Sequence, residues 1–222
     1  MRFSVAVDGP AGSGKSSVSK AVARKLGFDY LDTGAAYRAL AWLALEQDID
    51  LDDAKQVIGL LEHFEFQIGL DPDSYFVRVG TTDVTEEIRR PRISSAVSAI
   101  ARVPEVRAYL NSMFRALIAN GSRPGIITEG RDITTVVAPD APVRVLLTAS
   151  EQVRQSRRAR ELGKPLDHEG TKVGNRDAQD LKVVDFINPA PGVTVIDSTD
   201  LTFDATVSAL TFIIQEFLGR EG

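Results

Sequence analysis

Gly9-Pro10-Ala11-Gly12-Ser13-Gly14-Lys15-Ser16 satisfies the pattern GxxxxGK[ST], which does its chemistry with backbone. Successive N–H groups wrap a polyphosphate, the lysine reaches the outer phosphates, and the serine hydroxyl ligates magnesium. Glycines at 9, 12 and 14 allow backbone angles and close approaches that a side chain would block. Ser17 continues the run at the start of the following segment. The spacing therefore points to ATP with Mg2+ bound by residues 9–17, with Ser16 as the metal ligand. It leaves the reaction open, because kinases, GTPases, motors and idle nucleotide sensors all use such a loop.

A second set of residues is cationic. Asp32-Thr33-Gly34 with Tyr37-Arg38, and Glu129-Gly130-Arg131-Asp132, each follow a short apolar run that reads as a strand. Two loops at one sheet edge then offer a guanidinium each, and planar forks suit a two-point grip on a phosphate. The stretch 151–165 holds Arg154, Arg157, Arg158, Arg160 and Lys164 against Glu151 and Glu161, a local excess of positive charge in an acidic chain. Phosphoryl transfer spreads negative charge over the moving group, so arginines that close on it stabilise that charge and exclude water.

These residues need a scaffold, and the pattern of apolar residues supplies one. Phe3–Val7 is apolar and β-branched up to Asp8. Val18, Ala21, Val22 and Leu26 then recur at helical spacing, and Gly27 closes that helix. Phe28–Leu31 reads as a second strand and Ala35–Glu46 as a helix; two strand-to-helix units in succession indicate a parallel sheet. The spacing predicts a helix over 52–64, then a hairpin of Phe66–Ile68 and Phe76–Val79 about the turn-rich 69–74. Helices are expected over Thr85–Arg90, Ile93–Ala101 and Pro104–Ala119. Core strands follow at Gly125–Thr128 and Val143–Thr148. Ser150 is placed to cap a helix to about Leu162, broken at Gly163-Lys164-Pro165 and followed by a sparsely apolar loop to Gly174. Val193–Ile196 and a helix through Phe203, Val207, Leu210, Ile213, Ile214 and Phe217 close the chain. The sum is an α/β fold of about five parallel core strands with two inserts.

Composition narrows the function. The chain has 222 residues and a net charge of −5, which opposes a surface built to track nucleic acid. With no cysteine there is no thiolate nucleophile, disulfide or Cys-ligated metal, consistent with a reducing compartment. No stretch reaches 18 apolar residues and the N-terminus lacks a secretory pattern, so a cytoplasmic protein without a membrane span is expected. A guanine-specific GTPase needs an Asn-Lys-x-Asp reader, whereas Asn175 is followed by Arg176-Asp177. His63 and His168 have no ligand-spaced partner, Trp42 falls on a core-facing helix, and Asp52-Asp53 and Glu86-Glu87 suit helix N-terminal turns.

Taken together, GPAGSGKSS (9–17), LDTGAAYR (31–38), VTEEIR (84–89), Val97 to Arg107 with Ser98 and Pro104, EGRDITTVV (129–137) and PDAPV (139–143) resemble the bacterial cytidylate kinases over nearly the whole chain. That resemblance implies a P-loop NTPase three-layer fold with an NMP-binding insert and a lid, and transfer of the γ-phosphoryl of ATP to CMP or dCMP. It divides the single domain into a core (about 1–50, 123–150 and 190–222), the NMP-binding insert (about 51–122) and the lid (about 151–189). It places Thr33, Arg38 and Arg131 at the acceptor phosphate and Ser98, Arg107 and Asp132 around the base. It sets Arg176 near phosphate or ribose, Asp180 at a sugar hydroxyl, and Arg157, Arg158 and Arg160 among the lid cations. An Asp accepting from cytosine N4 and an Arg donating to N3 or O2 would read that base and disfavour uracil. Many relatives carry RDxxDxxR in the lid; here Val183 stands at the last position beside Lys182, a point charge that cannot reproduce a fork.

The expected chemistry is in-line attack by an ionised acceptor phosphate, stabilised by Lys15, Arg131, Arg157, Arg160 and Arg176, with no protein nucleophile. Asp8 or Glu129 would orient metal-bound waters. A monomer with small-molecule substrates and neither nucleic acid nor membrane as partner is expected. The rival readings are a kinase for UMP or another small acceptor, and a non-catalytic nucleotide-binding regulator.

Overall fold

Alternation along β1 (Phe3–Asp8) sends Val5 and Val7 to one face of the sheet and Ala6 to the other, and both faces are buried. A strand covered on both sides belongs in the middle of a parallel sheet. In the computed structural model, which describes residues 2–163 and 173–220 except the side chains of 161, 162, 173–176 and 220, β1 is central. It pairs in parallel with β6 (Gly125–Gly130) and β7 (Val143–Thr148); β2 (Asp29–Asp32) and β8 (Thr194–Asp197) form the edges, in the order β2-β6-β1-β7-β8.

On one face α1 (Lys15–Leu26) and α8 (Phe203–Arg220) cover Val5, Val7, Val145 and Leu147 through Val18, Val22, Leu210 and Ile214. On the other, α2 (Thr33–Glu46), α4 (Pro91–Ala101) and α5 (Pro104–Asn120) bury Ala6, Leu31 and Ile126 beneath Leu40, Ile100, Leu110 and Phe114. Each such buried Val, Leu or Ile contributes about 1.5–3 kcal/mol. Hence the three layers. All five strands run the same way, so their C-terminal ends place Asp8, Asp32, Gly130 and Thr148 along one edge.

Several expectations need correction. The helix expected over 52–64 is split into α3 (Ala54–Gly59), capped by Asp53 accepting from the N–H groups of Lys55 and Gln56, and a 3-10 turn over Leu60–His63. The hairpin of β3 (Phe66–Ile68) and β4 (Val77–Val79) is present but gains a third strand, β5 (Thr82–Asp83), after a turn at Gly80. The helix expected over 85–90 shrinks to one 3-10 turn, Glu87–Arg89, because Pro91 starts α4 and turns Arg90 extended. Ser150 precedes α6 (Glu151–Leu162) without a side-chain cap bond, its N–H instead donating to Thr199 Oγ1. Gly163 ends that helix in the left-handed region as expected. The loop expected up to Gly174 lies mostly outside the described residues, and a helix unforeseen in the sequence, α7 (Val173–Asp180), has begun by its end. Trp42 is half-buried against the second core.

Candidate active site

β1 ends at Asp8, and the chain turns through Gly9 to Gly14 into α1. Gly9 is required by contact, since a Cβ there would lie 2.1 Å from the Leu147 carbonyl oxygen. Gly14 sits at the N-cap of α1 with φ 88° and makes no side-chain cap bond, so the first-turn N–H groups and the positive helix end face outward, toward an anion. Lys15 Nζ donates to Pro10 O at 3.4 Å and stands 4.0 Å from Glu129 Oε2. Ser16 Oγ donates to Glu129 Oε1 at 2.6 Å. Ser13 Oγ is buried without a partner, and Ser17 Oγ turns back to Gly14 O.

Glu129 is buried at the end of β6, where desolvation and the neighbouring Asp32 carboxylate push its pKa up to about 7. A hydroxyl and a carboxylate in contact are the oxygen donors that a hard divalent cation between triphosphate and protein takes, while the Lys15 ammonium suits the phosphates themselves. Asp8 is engaged elsewhere: its carboxylate accepts from Ile133 N, Thr134 N and Thr134 Oγ1, which fastens the turn after β6, and it is absent from the walls of the two cavities along this edge. Burial raises its pKa.

Two cavities meet at the loop. The first, about 450 Å³, is lined by Lys15, Ser16, Thr33, Arg38, Ser98, Arg107, Arg131, Asp132 and Asp180, which the sequence scatters over 166 positions or fewer and the fold assembles. Arg38 Nη2 donates to Asp32 Oδ2 at 2.7 Å, and its Nε is buried without a partner, as is the hydroxyl of Tyr37 on the same wall. Unsatisfied buried donors on a cavity wall fit an incoming anion. Thr33 lines the wall, but its hydroxyl proton is spent on Glu129 O at 2.8 Å. Arg107 Nη2 holds Asp132 Oδ2 at 2.6 Å; burial raises the Asp132 pKa against the pull of that guanidinium. Ser98 Oγ donates to Asp180 Oδ1 at 3.0 Å.

The second cavity, about 660 Å³, opens on the other side of the loop, between Gly12–Ser17, Arg157, Arg160 and the apolar ledge of Leu201 and Phe203. Arg157 is held by neutral acceptors, Ser13 O, Ser198 O and Ser198 Oγ. Thus α6 divides its cations: Arg157 and Arg160 reach the second cavity, Arg158 the first. Arg176 lies on α7, and its side chain is outside the described residues. At the departure in the lid pattern Val183 lines the first cavity, while Lys182 is exposed and off that wall.

Arg89 was not anticipated. It ends the 3-10 turn and, among the described residues, joins Gly12, Lys15 and Ser16 in lining both cavities. The sequence signal was the VTEEIR run, which resembles its family without saying what the last residue does. Tyr37 was legible only as a neighbour of Arg38. Among the described residues no group of His, Cys, Asp and Glu forms an all-protein metal cage, and no helix is long and apolar enough to cross a membrane.

A parallel sheet of this order, with the glycine loop after its central strand and a second cavity along the same edge, defines a P-loop nucleotide-binding kinase fold. An uncharacterised protein of known structure from Eubacterium ventriosum shares that fold, with a TM-score of 0.52 at 13% identity over 96% of this chain and 98% of its own. The sequence comparisons go further. The cytidylate kinase family model matches residues 5–216, and this chain belongs to that family. It is 40% identical to the cytidylate kinase of Streptomyces avermitilis over 96% of this chain and 92% of that one. It is 42% identical to the cytidylate kinase of Cutibacterium acnes over 95% of each.

Proposed function

We propose that the protein transfers the γ-phosphoryl group of ATP to CMP or dCMP, giving ADP and the corresponding diphosphate. The observation that carries this reading is the meeting of two cavities at Lys15 and Ser16, one with a phosphate loop and the other with buried guanidinium donors and an Arg–Asp pair. Membership of the cytidylate kinase family supports it.

Gly9 to Ser17 bind the donor phosphates through backbone N–H groups, with Lys15 across the outer ones. Ser16, backed by Glu129, is the residue to hold Mg2+, which when bound supplies charge neutralisation between the β- and γ-phosphates. Arg38 and Arg131 orient the acceptor phosphate so that its oxygen attacks the γ-phosphorus in line with the departing ADP oxygen. The acceptor is already ionised, so no base removes a proton. Arg157 and Arg160 face the donor side, and Arg176 is assigned to the transferred group by resemblance alone. Asp132 accepts from the cytosine amino group while Arg107 donates to the ring; Ser98 and Asp180 sit where a sugar or base edge would be held. Residues 51–122 act as the acceptor-binding insert and 151–189 as the lid, on a cytoplasmic monomer.

The test is ADP release from MgATP with CMP, dCMP, UMP, AMP or no acceptor. Release with CMP and dCMP far above the others is expected. Equal release with UMP would refute the base-reading role of Asp132, and ATP binding without acceptor-dependent release would make the protein a nucleotide-binding regulator.

A further inference from the structure

Asp177 takes no part in the phosphoryl transfer proposed above, yet among the described residues it is one of the most heavily paired carboxylates. It lies on α7, is 4% exposed, and touches three other elements. Its Oδ1 accepts from the N–H of Ala11, in the phosphate loop, at 3.0 Å and forms an ion pair with Arg131 Nη2 at 2.9 Å. Its Oδ2 pairs with Arg154 Nη1, and the same Nη1 donates to the Ala11 carbonyl at 2.9 Å while Arg154 Nε donates to Ala149 O. Both ends of the Ala11 residue are thus tied, directly or through one guanidinium, to this carboxylate.

Arg131 depends on the same contact. Its guanidinium lies 4.0 Å from the ring of Phe186, donates to Gly9 O at 3.1 Å, and meets Asp177 and Asp180 through Nη2. Of the five N–H donors of an arginine, one on Nη1 is hydrogen-bonded to Gly9 O among the described residues and Nη2 is held by charge between two carboxylates, which leaves Nε to present to a phosphate. Without the two α7 carboxylates only one polar contact would hold the fork. Burying a carboxylate is expensive unless it is fully paired; an apolar residue would pack α7 at lower cost, which argues that the charge serves geometry.

We propose that Asp177 is a positioning residue for phosphoryl transfer: by bridging Ala11, Arg131 and Arg154 it makes the seating of α7 and the aiming of the Arg131 fork a single event. This rests on the kinase reading above. The acceptor panel is therefore run first, and the variants are measured with whichever acceptor the wild type turns over fastest, so that a wrong acceptor assignment alters the panel and leaves the variant comparison readable.

Asp177→Asn, Arg131→Lys and the double variant form the test. Asp177→Asn keeps shape and an acceptor for the Ala11 N–H but drops the charge. It is expected to lower kcat at least tenfold while KM for ATP moves less than threefold, and to cost less than threefold more when added to Arg131→Lys. Equal losses in both backgrounds, or an unchanged kcat with only a lowered melting temperature, would overturn the proposal. Should Asp177→Asn fail to fold, Asp177→Glu, which keeps the charge and shifts it by one methylene, is carried through the same pair of backgrounds. A loss confined to the Arg131 background supports the coupling, and additive losses reject it.

Discussion

The two sides of the phosphate loop hold their cations in different ways. On the proposed acceptor side three arginines are tied to carboxylates: Arg38 to Asp32, Arg107 to Asp132, Arg131 to Asp177 and Asp180. On the donor side Arg157 is tied to two carbonyls and a hydroxyl, and burial beside Arg160 lowers its pKa. Lys15 leans on a backbone carbonyl, with the nearest Glu129 oxygen at 4.0 Å. A carboxylate partner fixes a fork in direction but cancels much of its charge; a neutral partner leaves the charge to the ligand. The donor side is thus built for strong, general attraction to a polyphosphate. The acceptor side trades attraction for orientation, which is what discrimination between similar small acceptors needs.

Perturbations of that contrast should rank accordingly. The largest effect is expected for Lys15→Ala, which removes the ammonium that reaches the outer phosphates: kcat should fall by about 10²–10³-fold or more, read as ADP release, and normal turnover would remove the loop from the mechanism. Next, Asp132→Ala should weaken CMP by about 10–200-fold while changing UMP much less, measured as kcat/KM for each acceptor. Losses of the same size for both bases would mean that the Arg107–Asp132 pair only orients the backbone. Arg89→Ala, at the junction of the two cavities, should cost about tenfold in kcat with both KM values little changed; a purely acceptor-side effect would move it to one wall.

Glu129 supplies a pH test of the donor side. Its folded pKa, near 7, is above the unfolded 4.5, so the folded protein binds the extra proton between those values. The stability that this confers is fully present below about pH 4.5 and is lost as pH rises through 7. Thermal melting of the ligand-free protein should therefore show a fall between pH 5 and 8 that Glu129→Gln flattens, and an unchanged slope would deny the burial of that charge. The smallest effect is expected for Val183→Arg, which returns a fork to the acceptor wall: KM for CMP should drop by about threefold with ATP unaffected, and no change would place position 183 out of reach of the ligand.

The loop at 9–17 was legible because its function resides in contiguous backbone and its flanking strand and helix are strongly periodic. Legibility failed in proportion to how far a residue's role depends on distant partners. Asp8 and Glu129 end adjacent strands and looked interchangeable as metal-side carboxylates. Three hydrogen bonds from Ile133 and Thr134 hold Asp8 to the turn after β6, while Glu129 stands against Ser16. Thr33 lines the first cavity, as its place after β2 suggests, but the bond from its hydroxyl to Glu129 O, 96 residues away, has no local signal. The helix expected at 85–90 failed because Pro91 outweighs the local pattern, and β5 is too short to carry a period.

What the sequence determined by itself was the order of the core strands and the helices that cover them, the phosphate loop, and which residue types could meet at the sheet's edge. Those follow from local periodicity, glycine and proline geometry, and a motif whose contacts span nine residues. The tertiary structure decided which charges pair. Arg131 meets Asp177 across 46 positions and Ser16 meets Glu129 across 113. An ion pair's partner depends on a distance of a few ångströms through a low-dielectric interior, and only the closed sheet with its packed helices sets that distance.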